Sequence, residues 1–280
     1  MKLLRAIFTV FTISFLFYSC SGNPFINLDA LKENLNIKEF PEQKDYPEAD
    51  ALVLTELHDV SLKIDSNYDL ETVEKVQKAV KLFKNIDKYA SVEISFLGED
   101  KLSELKARTI KPDGTVVELK SEDFHTIVGH GGDDGYYSDE KTIKFTFPAV
   151  EKNCIIEYEY FIEEFYPFVT DVWHLQGSIP KLQNIYKLTV PEILVRPRTM
   201  GGVGWNWKYK TSNCTLPQPE FQRNNDPGEG TIDKSVTFSW EQKDVPGFNP
   251  EPMMPPYSNY LQSVKFAPSK WEKWNDISGW

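Results

Sequence analysis

The sequence contains few of the side chains from which catalytic and metal sites are built. Its 280 residues include three cysteines and four histidines. No second histidine or cysteine stands at zinc-ligand spacing from His130. A cysteine nucleophile needs a histidine base and an orienting third group, and neither Cys154 nor Cys214 has the surroundings that depress a thiol pKa. The sequence therefore predicts no metal, no cofactor and no thiol enzyme.

Positive charge is also scarce. The formal net charge is −11 at pH 7, and an acidic surface repels phosphate backbones. This excludes nucleic acid as an expected partner. The same charge disfavours docking to an anionic membrane, so membrane association would have to come from an attached lipid.

Long apolar runs are limited to one, residues 6–18, which follows Lys2 and Arg5. The run has the length of a signal-peptide core and is too short to span a bilayer comfortably. It ends just before Cys20, where an exported bacterial chain is cut and lipidated. We expect residues 1–19 to be a lipoprotein signal peptide and Cys20 to carry the lipid, with an ordinary cleaved signal as the alternative. The protein would then be exported and anchored in the cell envelope, facing the periplasm or in the outer membrane.

For the other two cysteines the sequence leaves more than one interpretation open. Cys154 begins a run in which Ile156, Tyr158 and Tyr160 share its face and glutamates occupy the other. This alternation predicts a core position. Cys214 lies in a polar turn, and a bridge to Cys154 stays as the alternative because the compartment would be oxidising.

Neither a repeat nor a low-complexity tract is present, and the chain divides by composition. Residues 20–50 are polar and interrupted by prolines, which predicts a tether. From Ala51 onward, apolar residues alternate with polar ones, as in Val60, Leu62 and Ile64. The turn Lys111–Gly114 predicts a hairpin because glycine accepts the positive φ of a tight turn. Many short strands of this kind predict an all-β fold, an antiparallel β-sandwich of immunoglobulin-like or extended type with few short helices.

One segment allows two interpretations. Leu70, Val73, Val76, Val80 and Phe83 follow helical spacing. The surrounding strands favour an extended segment instead, so both a helix and a strand remain open for residues 72–82.

Two groups of residues are candidate binding sites. The loop at residues 129–140 concentrates Asp133, Asp134, Asp139 and Glu140, as an oxygen-ligand cation site would, although a solvated loop is the simpler interpretation. The aromatic residues Trp205, Trp207 and Trp240 would offer flat faces to a sugar or peptide, or would cover the core.

Several separated stretches resemble one bacterial family. They are Lys106–Val116, with its Ala-Arg-Thr and Pro-Asp-Gly; Phe145–Tyr160 with Asp171–Pro180; and Phe238–Pro256 with Ser263–Pro268. Together they are similar to the domain of unknown function that precedes transglutaminase-like domains in exported proteins. The resemblance implies a β-sandwich over residues 51–268, with a division near residue 192 as an alternative. It makes residues 269–280 a junction toward a further, transglutaminase-like domain.

The resemblance implies a non-catalytic module that positions or recognises substrate for a transglutaminase-like or peptidase-like domain or partner. A free-standing lipoprotein that binds glycan or peptide is the alternative. A hydrolase using the carboxylates of the 133–140 loop is a third hypothesis, for which the sequence shows carboxylates but no partners.

Overall fold

β-Strands make up most of the chain, as the alternation of apolar and polar residues predicts. The structure is a computed structural model that describes residues 40–64, 70–129, 140–164, 172–192, 205–214, 216, 219–225, 234–256 and 259–271. Within these ranges the strands are β1 (Ala51–Ile64), β2 (Leu70–Leu82), β3 (Ser91–Phe96), β4 (Lys101–Ile110), β5 (Val116–Glu118), β6 (His125–Val128), β7 (Lys141–Thr146), β8 (Ile155–Glu164), β9 (Val172–His174), β10 (Lys181–Pro191), β11 (Trp205–Ser212), β12 (Glu220–Asn225), β13 (Lys234–Val245) and β14 (Ser263–Trp271). Two short 3-10 helices cover Ile86–Lys88 and Ser121–Asp123.

The predicted hairpin is present between β4 and β5. Gly114 has a φ of +88°, which an L side chain adopts only with strain. The backbone N–H of Gly114 donates to the carbonyl of Lys111, and Asp113 accepts from the backbone N–H of Thr115. The sequence Pro-Asp-Gly therefore fixes this turn and the pairing of Arg108 with Glu118.

The ambiguous segment is a strand, and the helical interpretation is wrong. β2 lies in the middle of a sheet and pairs with β1 on one side and β8 on the other. Both of its faces are covered, so Gln77 and Ala79 are buried as well as Val76 and Val80. A strand buried on both faces loses the strict alternation of a half-buried one, which explains the misleading pattern.

The strands form three sheets. The large sheet has the order β12-β13-β10-β1-β2-β8-β4-β5, the first small sheet the order β3-β7-β6, and the second small sheet the order β11-β14-β9. All pairings among the described strands are antiparallel except one, because β1 and β10 run parallel. The all-β sandwich is confirmed, with this one parallel pair as a departure from a purely antiparallel arrangement.

Both small sheets pack against the same face of the large sheet. Directly paired residues point to the same side of a sheet, and Tyr160, Val76, His58, Tyr186 and Trp240 are paired in succession across five neighbouring strands. The first small sheet buries its apolar side chains at one end of this face, on the cluster Val53, Val80, Ile156, Ile94 and Phe145. The second small sheet does so at the other end, on the cluster Tyr186, Leu188, Trp240, Trp173 and Val264.

The last part of the predicted tether contacts the sandwich. Backbone N–H groups of Phe83 and Lys84 donate to the carbonyl of Asp50, and the Lys84 ammonium donates to the carbonyl of Pro47 at 2.6 Å. Ile37–Trp280 forms one compact unit. None of the helices in the described part of the chain has the length and apolar character needed to cross a membrane.

Candidate binding cleft

The two small sheets leave a strip of the large sheet uncovered between them, and this strip is the floor of a cleft. The cleft has a volume of about 600 Å³, within the size range of small-molecule sites. Tyr89 and Val92 line it beside the first small sheet, and Trp173 and His174 line it beside the second. The strands β1, β2, β8 and β10 supply the floor.

Charged side chains occupy the floor where an apolar core would be expected. Strand pairing places Glu56 beside Lys78, and Lys78 beside Tyr158. One step along the strands, the same face carries His58, and the next step carries Glu74 beside Val60. The alternation of each strand therefore aims these charged groups into the cleft together with the apolar residues that flank them.

Glu56 is the centre of this cluster. Its Oε1 accepts a hydrogen bond from the Lys78 ammonium at 3.0 Å, and its Oε2 lies 2.7 Å from the Lys181 ammonium. Its Oε1 is also 3.6 Å from His58 Nε2. Burial alone would raise the pKa of Glu56, but Lys78, His58 and Lys181 outweigh it and hold that pKa well below its usual range.

His58 lies between two carboxylates. Its Nδ1 is 2.6 Å from Glu74 Oε1, and its Nε2 faces Glu56. An ionised carboxylate only accepts hydrogen bonds, so this geometry favours a proton on both ring nitrogens. Burial opposes the charged form, but the two glutamates prevail and raise the pKa of His58 to about 9.

These five residues, Glu56, His58, Glu74, Lys78 and Lys181, are called the charge network below. A general acid or base works best when its pKa is near the working pH. Glu56 is too strong an acid and His58 too strong a base for efficient proton exchange near pH 7. The charge network is therefore suited to holding fixed charges in the cleft rather than to passing protons.

Aromatic rings border the charge network on both sides. Tyr158 and Tyr160 stack with ring centroids 6.4 Å apart. On the other side, Trp173 stacks on Tyr186 with centroids 5.2 Å apart. Burial raises the pKa of Tyr158, which keeps its hydroxyl neutral. The cleft thus combines apolar walls with a few charged groups, the usual composition of a ligand site.

The opposite face of the large sheet carries a second set of ion pairs. Arg108 Nε donates to Glu157 Oε2 at 2.7 Å, and both side chains are buried. Gln77 donates to Glu159 at 2.6 Å, and Lys106 lies 3.3 Å from the same carboxylate. These pairs join neighbouring strands β2, β4 and β8, so they have a structural explanation.

The family of the chain follows from its sequence profile. The model of the Domain of Unknown Function DUF3857 matches residues 69–249. This range includes three of the five residues of the charge network, Glu74, Lys78 and Lys181. The chain belongs to the DUF3857 family. The resemblance to a family of unknown function is thereby confirmed. No curated protein matches the sequence.

A solved structure with a TM-score above 0.5 agrees with the fold of this DUF3857 chain. The chain is similar to the crystal structure of a "putative protease" from Parabacteroides distasonis, with a TM-score of 0.61, 15% identity and coverage of 78% of this chain. The DUF3857 chain spans 40% of the length of that protein. A "putative nutrient binding protein" from Legionella pneumophila matches with a TM-score of 0.30 and 11% identity, over 79% of this chain and 68% of that one.

Of the three tryptophans that the sequence offers as a candidate binding site, the structure describes the side chain of Trp240. Trp240 of the DUF3857 chain is 2% exposed and packs edge-on against Tyr209, with centroids 5.3 Å apart. This placement supports a core role for Trp240. The backbone of Trp205 and Trp207 lies in β11, with a shift in pairing register between them, and their side chains lie outside the described residues.

The remaining predicted sites are largely outside the described residues of the DUF3857 chain. These include Cys20, Asp133, Asp134 and Asp139. Glu140 is described, and its carbonyl accepts from the backbone N–H of Gly129 at 2.8 Å. Among the residues that the structure describes, no group of three or more acidic, histidine or cysteine side chains could hold a metal ion.

The two cysteines of the DUF3857 domain are free thiols. Cys154 is buried, as predicted, and burial raises its thiol pKa. Cys214 is partly exposed, and its sulfur lies 3.7 Å from the carbonyl of Ser263. The alternative of a Cys154–Cys214 disulfide is wrong.

Sequence reasoning did not identify the charge network, although a signal for part of it was present. Val60 and Leu62 share one face of their strand by alternation, and the same alternation places His58 and Glu56 on that face. A charged residue at a position that the alternation assigns to the core is a candidate site residue. The position of Lys181 beside Glu56 depends on the parallel pairing of β10 with β1, which local sequence does not indicate.

Proposed function

We propose that this protein is a non-catalytic substrate-recognition module of the bacterial cell envelope, and that its cleft receives the substrate. The single observation that carries the proposal is the charge network on the floor of an open cleft. It combines a ligand-sized volume, aromatic borders and fixed charges whose pKa values suit binding better than proton transfer.

The module would act with a transglutaminase-like or peptidase-like domain or protein that performs the chemistry. The family resemblance of residues 106–268 supports this role, because that family precedes such domains. The coverage of 40% of a longer neighbour is compatible with a module that works beside further domains. A free-standing lipoprotein that binds glycan or peptide would use the same cleft without a catalytic partner.

Blocking the cleft tests the proposal. Ser178 is exposed and lines the cleft, so Ser178→Trp should fill it without removing a core contact. We expect immobilised Ser178→Trp to retain at least about tenfold less of the solubilised bacterial cell-wall fragments than the immobilised wild type does. Ser121→Trp, at an exposed position outside the cleft, is the matched control and should retain the fragments.

The outcomes of this experiment are distinct. Equal retention by both variants would contradict the cleft as the binding site. No retention by the unmodified protein would contradict the recognition function itself. Comparing peptide-bearing fragments with peptide-free glycan identifies which part of the wall is bound.

The envelope location rests on Cys20 and has its own test. We propose that the thiol of Cys20 carries the lipid that holds the module at a membrane. Cells fed a labelled palmitate should incorporate label into the wild-type chain, and Cys20→Ser should abolish it. Cys214→Ser is the matched control and should keep the label. A label that survives Cys20→Ser would overturn the anchor.

A further inference from the structure

The cleft has an excess of positive charge in an otherwise acidic protein. In the charge network, three cationic side chains face two carboxylates. The wider lining adds Lys88 and Glu164, whose charges cancel, and His174. Burial and the nearby Lys181 lower the pKa of His174, which leaves it neutral at pH 7. The lining therefore carries one net positive charge, while the whole chain carries −11.

The two lysines retain unused hydrogen-bonding capacity. A lysine ammonium has three N–H donors, and Lys78 and Lys181 each contact one oxygen of Glu56. Within the described part of the chain, the structure shows no other hydrogen-bond or ion-pair partner for either ammonium. Both residues line the cleft. Their remaining donors can therefore bind an anionic group that enters it.

The size of the charge excess selects the kind of anion. A single net positive charge is balanced by a monoanion such as a carboxylate. A phosphate group carries a charge close to −2 at pH 7, so it would leave the cleft with excess negative charge beside Glu56 and Glu74. Charge in a poorly hydrated site is costly unless it is compensated. The charge network therefore favours a carboxylate.

The aromatic borders limit what is attached to the carboxylate. Tyr158 lies beside the charge network on one side, and Trp173 with Tyr186 on the other. A volume of about 600 Å³ accommodates a few residues of peptide. Flat rings beside a cation pair suit a short chain whose charged end reaches the lysines and whose apolar part lies on the rings.

We propose that the cleft recognises the free carboxylate of a short peptide, bound by the ammonium groups of Lys78 and Lys181. This inference rests on the proposed recognition function and names its ligand class. Glu56 holds the two lysines in place when the cleft is empty, and the ligand carboxylate binds their remaining donors. The bound group is not consumed, and no bond is made or broken.

A matched pair of probes tests the inference on the full chain. Acetyl-alanyl-alanine carries the carboxylate, and its C-terminal amide has the same shape without the charge. We expect the acid to shift the imidazole nitrogen resonances of His58, and the amide to bind at least about tenfold more weakly in titrations up to about 20 mM. Inorganic phosphate is the third probe and should bind more weakly than the acid.

Replacing one of the two lysines tests its contribution to binding. Lys78→Gln should weaken binding of the acid at least about tenfold and reduce the difference in binding between the acid and the amide. Lys106→Gln, on the opposite face of the large sheet, is the matched control and should bind the acid as the wild type does. Histidine spectra of each variant report whether it is folded, and the comparison of probes on the unmodified chain does not depend on any variant.

Three outcomes would overturn the inference. Equal binding of acid and amide would show a cleft that ignores the carboxylate, and tighter binding of phosphate would assign it to phosphorylated ligands. The absence of binding by all three probes would exclude short peptide carboxylates. In all three cases the retention of cell-wall fragments separately decides whether the protein is a recognition module.

Discussion

Replacing Glu56 by glutamine is expected to lower the free energy of unfolding by about 3–5 kcal/mol, because removing one partner of a buried ion pair leaves the other charge uncompensated. Glu56 is the carboxylate that Lys78 and Lys181 share, and the Lys181 side chain is 6% exposed. Without that charge, two ammonium groups and His58 would face each other at the centre of the large sheet. Chemical denaturation at pH 7 measures the difference.

Two variants separate this effect from a general cost of losing a glutamate. Glu93→Gln removes an exposed partner of Lys144 and should change stability by less than about 0.5 kcal/mol. The double variant Glu56→Gln, Lys181→Met also removes one of the stranded charges, so it should regain part of the stability lost by Glu56→Gln. A stability of Glu56→Gln within about 0.5 kcal/mol of the wild type would contradict the central position of Glu56.

The pH dependence of stability should reveal His58. Its pKa is raised from 6.5 to about 9 on folding. A raised pKa stabilises the folded state fully below the unfolded value, and this contribution is lost as the pH rises through the folded value. We expect wild-type stability to fall by about 3 kcal/mol more than that of His58→Gln between pH 6.5 and pH 9.5.

The comparison with His58→Gln isolates the imidazole because all other groups titrate in both proteins. On the acid side, the lowered pKa of Glu56 acts in the opposite direction, since its contribution is present above pH 4.5 and is lost as the pH falls. The network should therefore contribute most between about pH 4.5 and 6.5. Parallel stability curves for wild type and His58→Gln above pH 6.5 would refute the doubly paired imidazole.

Local sequence was sufficient for much of the fold. Alternation identified the strands that have one buried face, and Pro112-Asp113-Gly114 identified the hairpin. The strands β6 and β12 were not predicted, because exposed strands of this kind lack an apolar face. All four residues of β6 are exposed, so pairing to β7 rather than burial holds it in place.

The site was less accessible to sequence reasoning for a physical reason. Glu56, Lys78 and Lys181 come from three strands that are distant along the chain, and their contact depends on strand order and register. Residues chosen by composition alone proved less informative, since Trp240 lies in the core. A charged residue at a core-facing position was the better indicator, because burial of a charge requires a partner or a function.

Mapping cell-wall peptide binding onto assigned backbone resonances is the most direct test of the recognition cleft. If the protein recognises its substrate there, peptide-bearing wall fragments should shift amide resonances around Glu56, His58 and Trp173, and leave those of residues 205–212 unchanged. Shifts confined to residues 205–212, with the cleft unaffected, would place recognition on β11 and contradict recognition in the cleft.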